Sequence, residues 1–168
     1  MKRSTIIILA VVGGLLLVGL GLFGWVTGTY NSLVGLDEGV KGAWSQVENV
    51  YQRRLDLIPN LVETVKGYAA HEEGVFAQVA EARASVGKLT VTPEVLNNPQ
   101  AFKQFQEAQA GLGSALSRLL AVAENYPQLK ANENFLQLQS QLEGTENRIA
   151  VERKRFNEVT QEYNTRVR

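Results

Sequence analysis

Residues 6–26 read IIILAVVGGLLLVGLGLFGWV and hold no charge, and the uncharged stretch extends over residues 5–27. At ~1.5 Å of helix per residue, such a run is long enough to cross ~30 Å of hydrocarbon, so the pattern predicts a transmembrane helix over residues 5–27. Beyond it the apolar residues fall into stripes. One seam carries Leu33, Val40, Val47, Arg54, Leu61, Tyr68 and Val75 at sevenfold spacing. Beside it run Leu36, Ala43, Val50 and Leu57, and then Trp44, Tyr51, Ile58, Val65 and Val79. Apolar positions sustained at this period predict a long amphipathic helix, coiled-coil-like in register. The register runs through Pro59 without a shift, so the helix either kinks there or ends and restarts in line.

The seam fades at Val86-Gly87, and a connector with Thr92-Pro93-Glu94 and Asn98-Pro99 follows. Each of these offers an N-cap with proline in the first helical turn, and Asn98 is the predicted start of the next helix. That helix shows the stripe Phe102, Phe105, Leu112, Leu119 and Tyr126, flanked by Ala108, Ala115 and Val122, and Pro127 ends it. Asn132 then caps a last helix with Phe135, Leu142, Ile149, Phe156 and Tyr163 at sevenfold spacing, backed by Leu138 and Val159. Segments of this kind must bury their stripes against one another. The expected fold is therefore all-α, an N-terminal transmembrane helix followed by an antiparallel bundle of three to four long helices. The expected organisation is a short cytoplasmic N-terminus over residues 1–4, the span over 5–27 and the bundle domain over 28–168. The first bundle helix can run straight out of the span as one stalk.

A cleaved secretory signal is the competing reading of the apolar run, with Val26-Thr27-Gly28 as a poor cleavage site. Such signals have apolar regions of roughly 7–15 residues, shorter than this one, and Trp25 and Tyr30 suit a membrane interface. Lys2 and Arg3 precede the run, whereas the first charges after it are Asp37 and Glu38. The positive-inside rule then puts the N-terminus in the cytoplasm and the bundle outside. Within the span, Ala10, Gly14, Gly21, Gly24 and Gly28 share nearly one face, a candidate helix-packing surface of small residues.

Composition narrows function by exclusion. Lys plus Arg equals Asp plus Glu at 17 each, which gives no electrostatic reason to expect nucleic acid as a partner. There is no cysteine, which removes disulfides, iron–sulfur clusters and thiol catalysis. His71 is the single histidine, beside Glu72 and Glu73, too few good ligands for a zinc site, and the Glu-x-x-His pair of di-iron bundles is absent. No nucleophile elbow or phosphate loop is present. No cofactor, metal or small-molecule substrate is expected, and the basic residues Arg148, Arg153, Lys154, Arg155, Arg166 and Arg168 interleave with glutamates as on a solvated face.

The least ordinary stretch is RRLDLIPN, residues 53–60. Arg54 falls on the apolar seam, where a charge must be paired or lose several kcal/mol of solvation. Arg53, Arg54, Asp56, Pro59 and Asn60 form the candidate structural or interaction cluster. As a structural device, Arg54 pairs with Asp56, Glu143 or Glu146; as a site, it binds an anionic group, with Asp56 and His71 nearby in a ligand-sensing or enzymatic domain. Trp44 and Tyr51, one stripe with Ile58, are expected in the core.

The string YNSLVGLDEGVKGAWSQVENVYQRRLDLIPNLVETVKGYAAHEEGV, residues 30–75, resembles the opening signature of the LemA family. A second block agrees with it, AENYPQLKANENFLQLQSQLEGTENRIAVERKRFNEVTQEYNTRVR, residues 123–168. The resemblance implies a small bacterial inner-membrane protein with one N-terminal span and an extended helical bundle, and it carries over no enzymatic activity. Proteins similar to it continue past Asn164 into a Phe-Pro-containing tail, so a shortened chain or an absent tail contact is expected at the end of the last helix. The functional expectation is a non-catalytic, membrane-anchored module that binds, scaffolds or self-assembles, with the lipid bilayer and a protein partner or second copy as its partners.

Overall fold

The computed structural model describes residues 3–89 and 93–168, with side chains for residues 11–89 and 95–168. The described residues are mostly helical, with no strand among them: α1 spans Arg3–Lys66, α2 Glu73–Gly87, α3 Pro99–Ala123, α4 Pro127–Lys130 and α5 Glu133–Val167, with a 3₁₀ turn at Pro93–Asn97 before α3. The chain divides into two compact units. One holds Gly42–Phe156, and the other holds Met1–Lys41 with Asn157–Arg168.

In the larger unit α1, α2, α3 and α5 form a bundle. From α1, Trp44, Val47, Tyr51, Arg54, Ile58, Leu61 and Val65 are buried. Their spacing alternates three and four, the arrangement by which a helix keeps one seam toward its partners. Ile58, Leu61 and Val65 enter one core with Phe76, Val79 and Val86 of α2, Leu112, Leu116 and Leu119 of α3, and Phe135 and Leu142 of α5. Burying each such side chain is worth roughly 1.5–3 kcal/mol, so this seam dominates the unit's stability. The ion pair between Arg54 and Glu146 and the ring contact of Trp44 with Phe156 show α1 and α5 antiparallel. Trp44 against Phe102 and Arg54 against Gln109 show α1 and α3 parallel.

At the start of the seam the packing is aromatic. The Trp44 ring lies 5.6 Å from both Phe102 and Phe105 and 5.2 Å from Phe156, tilted or edge-on, the geometry preferred by aromatic quadrupoles. Tyr51 meets Phe105 edge-on at 5.3 Å. At the other end the two turns are tied together. The Tyr126 hydroxyl donates to Glu72, and the Asn132 amide donates to the Tyr68 hydroxyl.

The chain turns at a place the apolar pattern alone does not mark. Of the two expectations for Pro59, an end and restart is overturned, because α1 continues through Pro59 to Lys66. The ring removes one amide donor, which frees the Leu55 carbonyl four residues earlier. Arg83 Nε, from α2, donates to that carbonyl at 3.4 Å. The turn comes instead at residues 67–72, where the amides of Gly67, Tyr68 and Ala69 donate to the Glu63 and Val65 carbonyls at the end of α1. The sevenfold register continues past this turn because α2 folds back and turns Val79 into the same core.

Asn98 caps α3 as its sequence suggests, accepting from the amides of Gln100 and Ala101, with Pro99 opening the helix. Asn132 accepts from Phe135 and caps α5 in the same way. Thr92 lies outside the described residues, and its neighbour Pro93 opens the 3₁₀ turn. In the smaller unit, α1 and the end of α5 meet at Gly39, where an added Cβ would lie 3.6 Å from Val159.

Candidate functional site

Arg54 is the only charged residue among the buried side chains described, at 4% exposure. Its Nη1 donates to Glu146 at 2.9 Å. Its Nη2 donates to the Gln109 carbonyl at 3.3 Å and to the Gln109 side-chain oxygen. Its guanidinium also stands 5.2 Å from the centre of the Tyr51 ring, within cation–π range. The fork geometry of arginine is what permits one buried charge to meet a carboxylate on one helix and an amide on another. Burial raises the Tyr51 phenol above its ordinary value, and the positive charges of Arg153 and Arg54 offset part of that rise.

Gln109 is the partner that sequence reasoning missed. A signal existed: each of three stripes is interrupted by a polar residue. Arg54 stands between Tyr51 and Ile58, Gln109 between Phe105 and Leu112, and Thr145 between Leu142 and Ile149. Arg54 and Gln109, with Glu146, form one polar layer across the bundle, whereas the Thr145 hydroxyl donates to the Gln141 carbonyl on its own helix. The layer is not fully satisfied: Arg54 Nε and Gln109 Nε2 are buried without partners among the described residues.

The other members of the 53–60 cluster do not join it. Arg53, Pro59 and Asn60 are exposed. Asp56 is exposed too and accepts from Gln52 on its own helix at 2.8 Å. His71 is exposed in the turn after α1, twelve helical residues and more beyond Arg54, which is ~18 Å at 1.5 Å per residue. Arg54, Asp56 and His71 therefore do not converge on one substrate-sized space. A cavity of about 370 Å³ lies beside Tyr51, Gln52, Phe105 and Gln109 where α2 ends, and one of about 530 Å³ lies between α3 and α5 near Leu116, Leu142 and Glu146. No group of three or more His, Cys, Asp or Glu able to hold a metal ion occurs among the described residues.

From Val11 to Val26 the apolar run is exposed, apart from half-buried Gly13. Leu15, Leu17, Leu20, Phe23 and Trp25 are each more than 60% open. Among the described residues α1 is the one helix long and apolar enough to cross a membrane. On its small-residue face, Gly14, Gly21, Gly24 and Gly28 have no neighbour within 4 Å of an added Cβ; the Ala10 side chain lies outside the described residues. Farther along, Lys41 bridges Asp37 and Glu38 on its own helix, and those bonds push its ammonium well above its ordinary range.

A long helix with an open apolar run, continuing into a bundle organised around an internal polar layer, defines a helical-bundle protein with a candidate membrane anchor. The chain belongs to the LemA family, whose model matches residues 43–168. It is also similar to the magnetosome protein MamQ of Magnetospirillum gryphiswaldense and to magnetosome proteins MamQ 1 and MamQ 2 of Paramagnetospirillum magneticum. Identity is 28% in each case, over 82% of this chain. The chain spans 57% of the length of these relatives.

Proposed function

We propose that this protein is a non-catalytic, single-span module of the bacterial inner membrane that binds, scaffolds or self-assembles, with its N-terminus cytoplasmic and its bundle on the other side. The observation that carries the reading is the contrast along one helix. Residues 15–26 of α1 are apolar and open, whereas residues 43–65 of the same helix bury their apolar face in the bundle. Open apolar surface of that extent is unfavourable in water and favourable in hydrocarbon. The membership in a bacterial family and the bacterial sources of the relatives support the choice of membrane. The small-residue face from Gly14 to Gly28 supports a second copy as one partner.

The test is alkaline carbonate washing of membranes carrying the full chain, followed by crosslinking in intact membranes. The chain is expected to stay in the pellet and to crosslink to itself or to one membrane protein. Release by carbonate sinks the anchor, and a chain that stays monomeric and partner-free sinks the assembly role.

A further inference from the structure

We infer that the cavity of about 370 Å³ between α1, α3 and the end of α2 binds a small uncharged amide carried on an aliphatic chain. This goes beyond the membrane role proposed above and stands or falls separately from it.

Two glutamines border the cavity, Gln52 of α1 and Gln109 of α3. A side-chain amide has one end that accepts and one that donates, and in each glutamine a charged neighbour has taken one end. The Arg54 guanidinium only donates, so it takes the Gln109 side-chain oxygen and leaves Nε2 over. The Asp56 carboxylate accepts Nε2 of Gln52 at 2.8 Å and leaves that side chain's oxygen over. Charge therefore sets both amide orientations, and they give the cavity one donor and one acceptor. Gln109 is 5% exposed, and its Nε2 has no partner among the described residues. A buried donor without an acceptor is a cost that a guest oxygen relieves.

One donor and one acceptor are the complement of a guest that carries a carbonyl oxygen and an N–H together, which is an amide. Ionic guests fit worse. Among the described residues no lysine or arginine borders the cavity, and the Arg54 charge behind Gln109 is already met by Glu146 at 2.9 Å. A carboxylate guest finds no counter-charge there and meets Glu48 on the same wall. An ammonium guest brings no acceptor for Gln109 Nε2. Leu55, Val86, Leu89 and Phe105 supply apolar wall, the contact for an aliphatic chain. The volume is at the small end of the ~300–1,000 Å³ typical of ligand pockets, which limits that chain to a short one. The structural competitor is a packing gap with a water held on Gln109. A gap of that kind has no preference for an amide over another neutral carbonyl compound.

Hexanamide is the probe, added to the full nitrogen-15-labelled chain in mild detergent. The readout is the side-chain amide signals of Gln109, assigned by their loss in Gln109→Glu. A saturable shift is expected. 2-Heptanone, which has a carbonyl and an aliphatic chain but no N–H, is expected to bind about fivefold more weakly, and so is hexanamide to Gln52→Leu. Hexanoate is expected not to bind. Gly87 borders the cavity, and an added Cβ there meets nothing within 4 Å, so Gly87→Leu enters the space without a Cβ clash and is expected to abolish the shift. No saturable shift in the wild-type chain overturns the site. Equal binding of hexanamide and 2-heptanone overturns amide recognition, as does binding of hexanoate. A shift that survives in Gly87→Leu at an unchanged melting temperature puts the probe elsewhere and overturns the cavity as its site. Should Gly87→Leu fail to fold, Gln52→Leu decides alone, since its side chain is exposed: unchanged affinity there overturns the proposal.

Discussion

Removing Glu146 strands a guanidinium at 4% exposure, whereas removing Arg54 leaves a carboxylate whose side chain is 44% exposed and can hydrate. Breaking a buried pair from the buried side's point of view is the costlier act. Glu146→Ala is expected to destabilise the bundle by about 3 kcal/mol and Arg54→Met by clearly less, as read from denaturant midpoints of the full chain in mild detergent. Equal costs would mean that Glu146 is screened by water in the native state. Tyr51 makes a second residue-scale prediction. Its phenol is held above the ordinary value of 10.0, chiefly by burial, so the fold favours the neutral form. The stability so contributed is complete below pH 10 and is lost as pH rises through the higher folded value. Melting temperature is expected to drop over that alkaline window, and Tyr51→Phe is expected to flatten the drop.

At the scale of elements, the helix starts are governed by side chains that replace missing backbone partners. Asn98 takes two amides at the start of α3, and Asn98→Ala is expected to cost about 1 kcal/mol, measured by the same denaturation. Pro59 is the opposite case. It stays inside α1 because the carbonyl it leaves unpaired finds Arg83 on the neighbouring helix. Pro59→Ala restores the helical donor and competes with that contact. Faster loss of α2 protection in hydrogen exchange is therefore expected, although α1 itself becomes a better helix. Unchanged protection of α2 would show that Arg83 contributes nothing to its docking. The seam's polar breaks, legible in each stripe taken singly, acquire meaning only together: Arg54, Gln109 and Glu146 meet because three helices bring them to one level.

For the whole molecule the balance is between one exposed apolar helix segment and one buried core. Gly21→Ile adds a branched side chain where nothing lies within 4 Å, so the monomer accommodates it without strain. If copies pack through the glycine face, the added bulk holds the backbones apart, and a smaller species is expected in light scattering of the detergent-solubilised chain. An unchanged mass removes that face as an assembly surface. The LemA-like signature blocks foretold family membership because they are long and ordered, and the family model matches residues 43–168 accordingly.

The sequence by itself determined the anchor-like run, the stripes and the caps, since each depends only on neighbours within a few turns. It also marked Arg54 as misplaced on an apolar seam. It did not say which acid would answer that charge, that Gln109 would share it, or that the chain would turn at residues 67–72 and not at Pro59. Those outcomes rest on contacts between residues 28 to 92 positions apart, such as Arg83 on Leu55 and Arg54 on Glu146. Periodicity is silent about distances of that kind. Only packing, which sets one helix's register against another's, decides them.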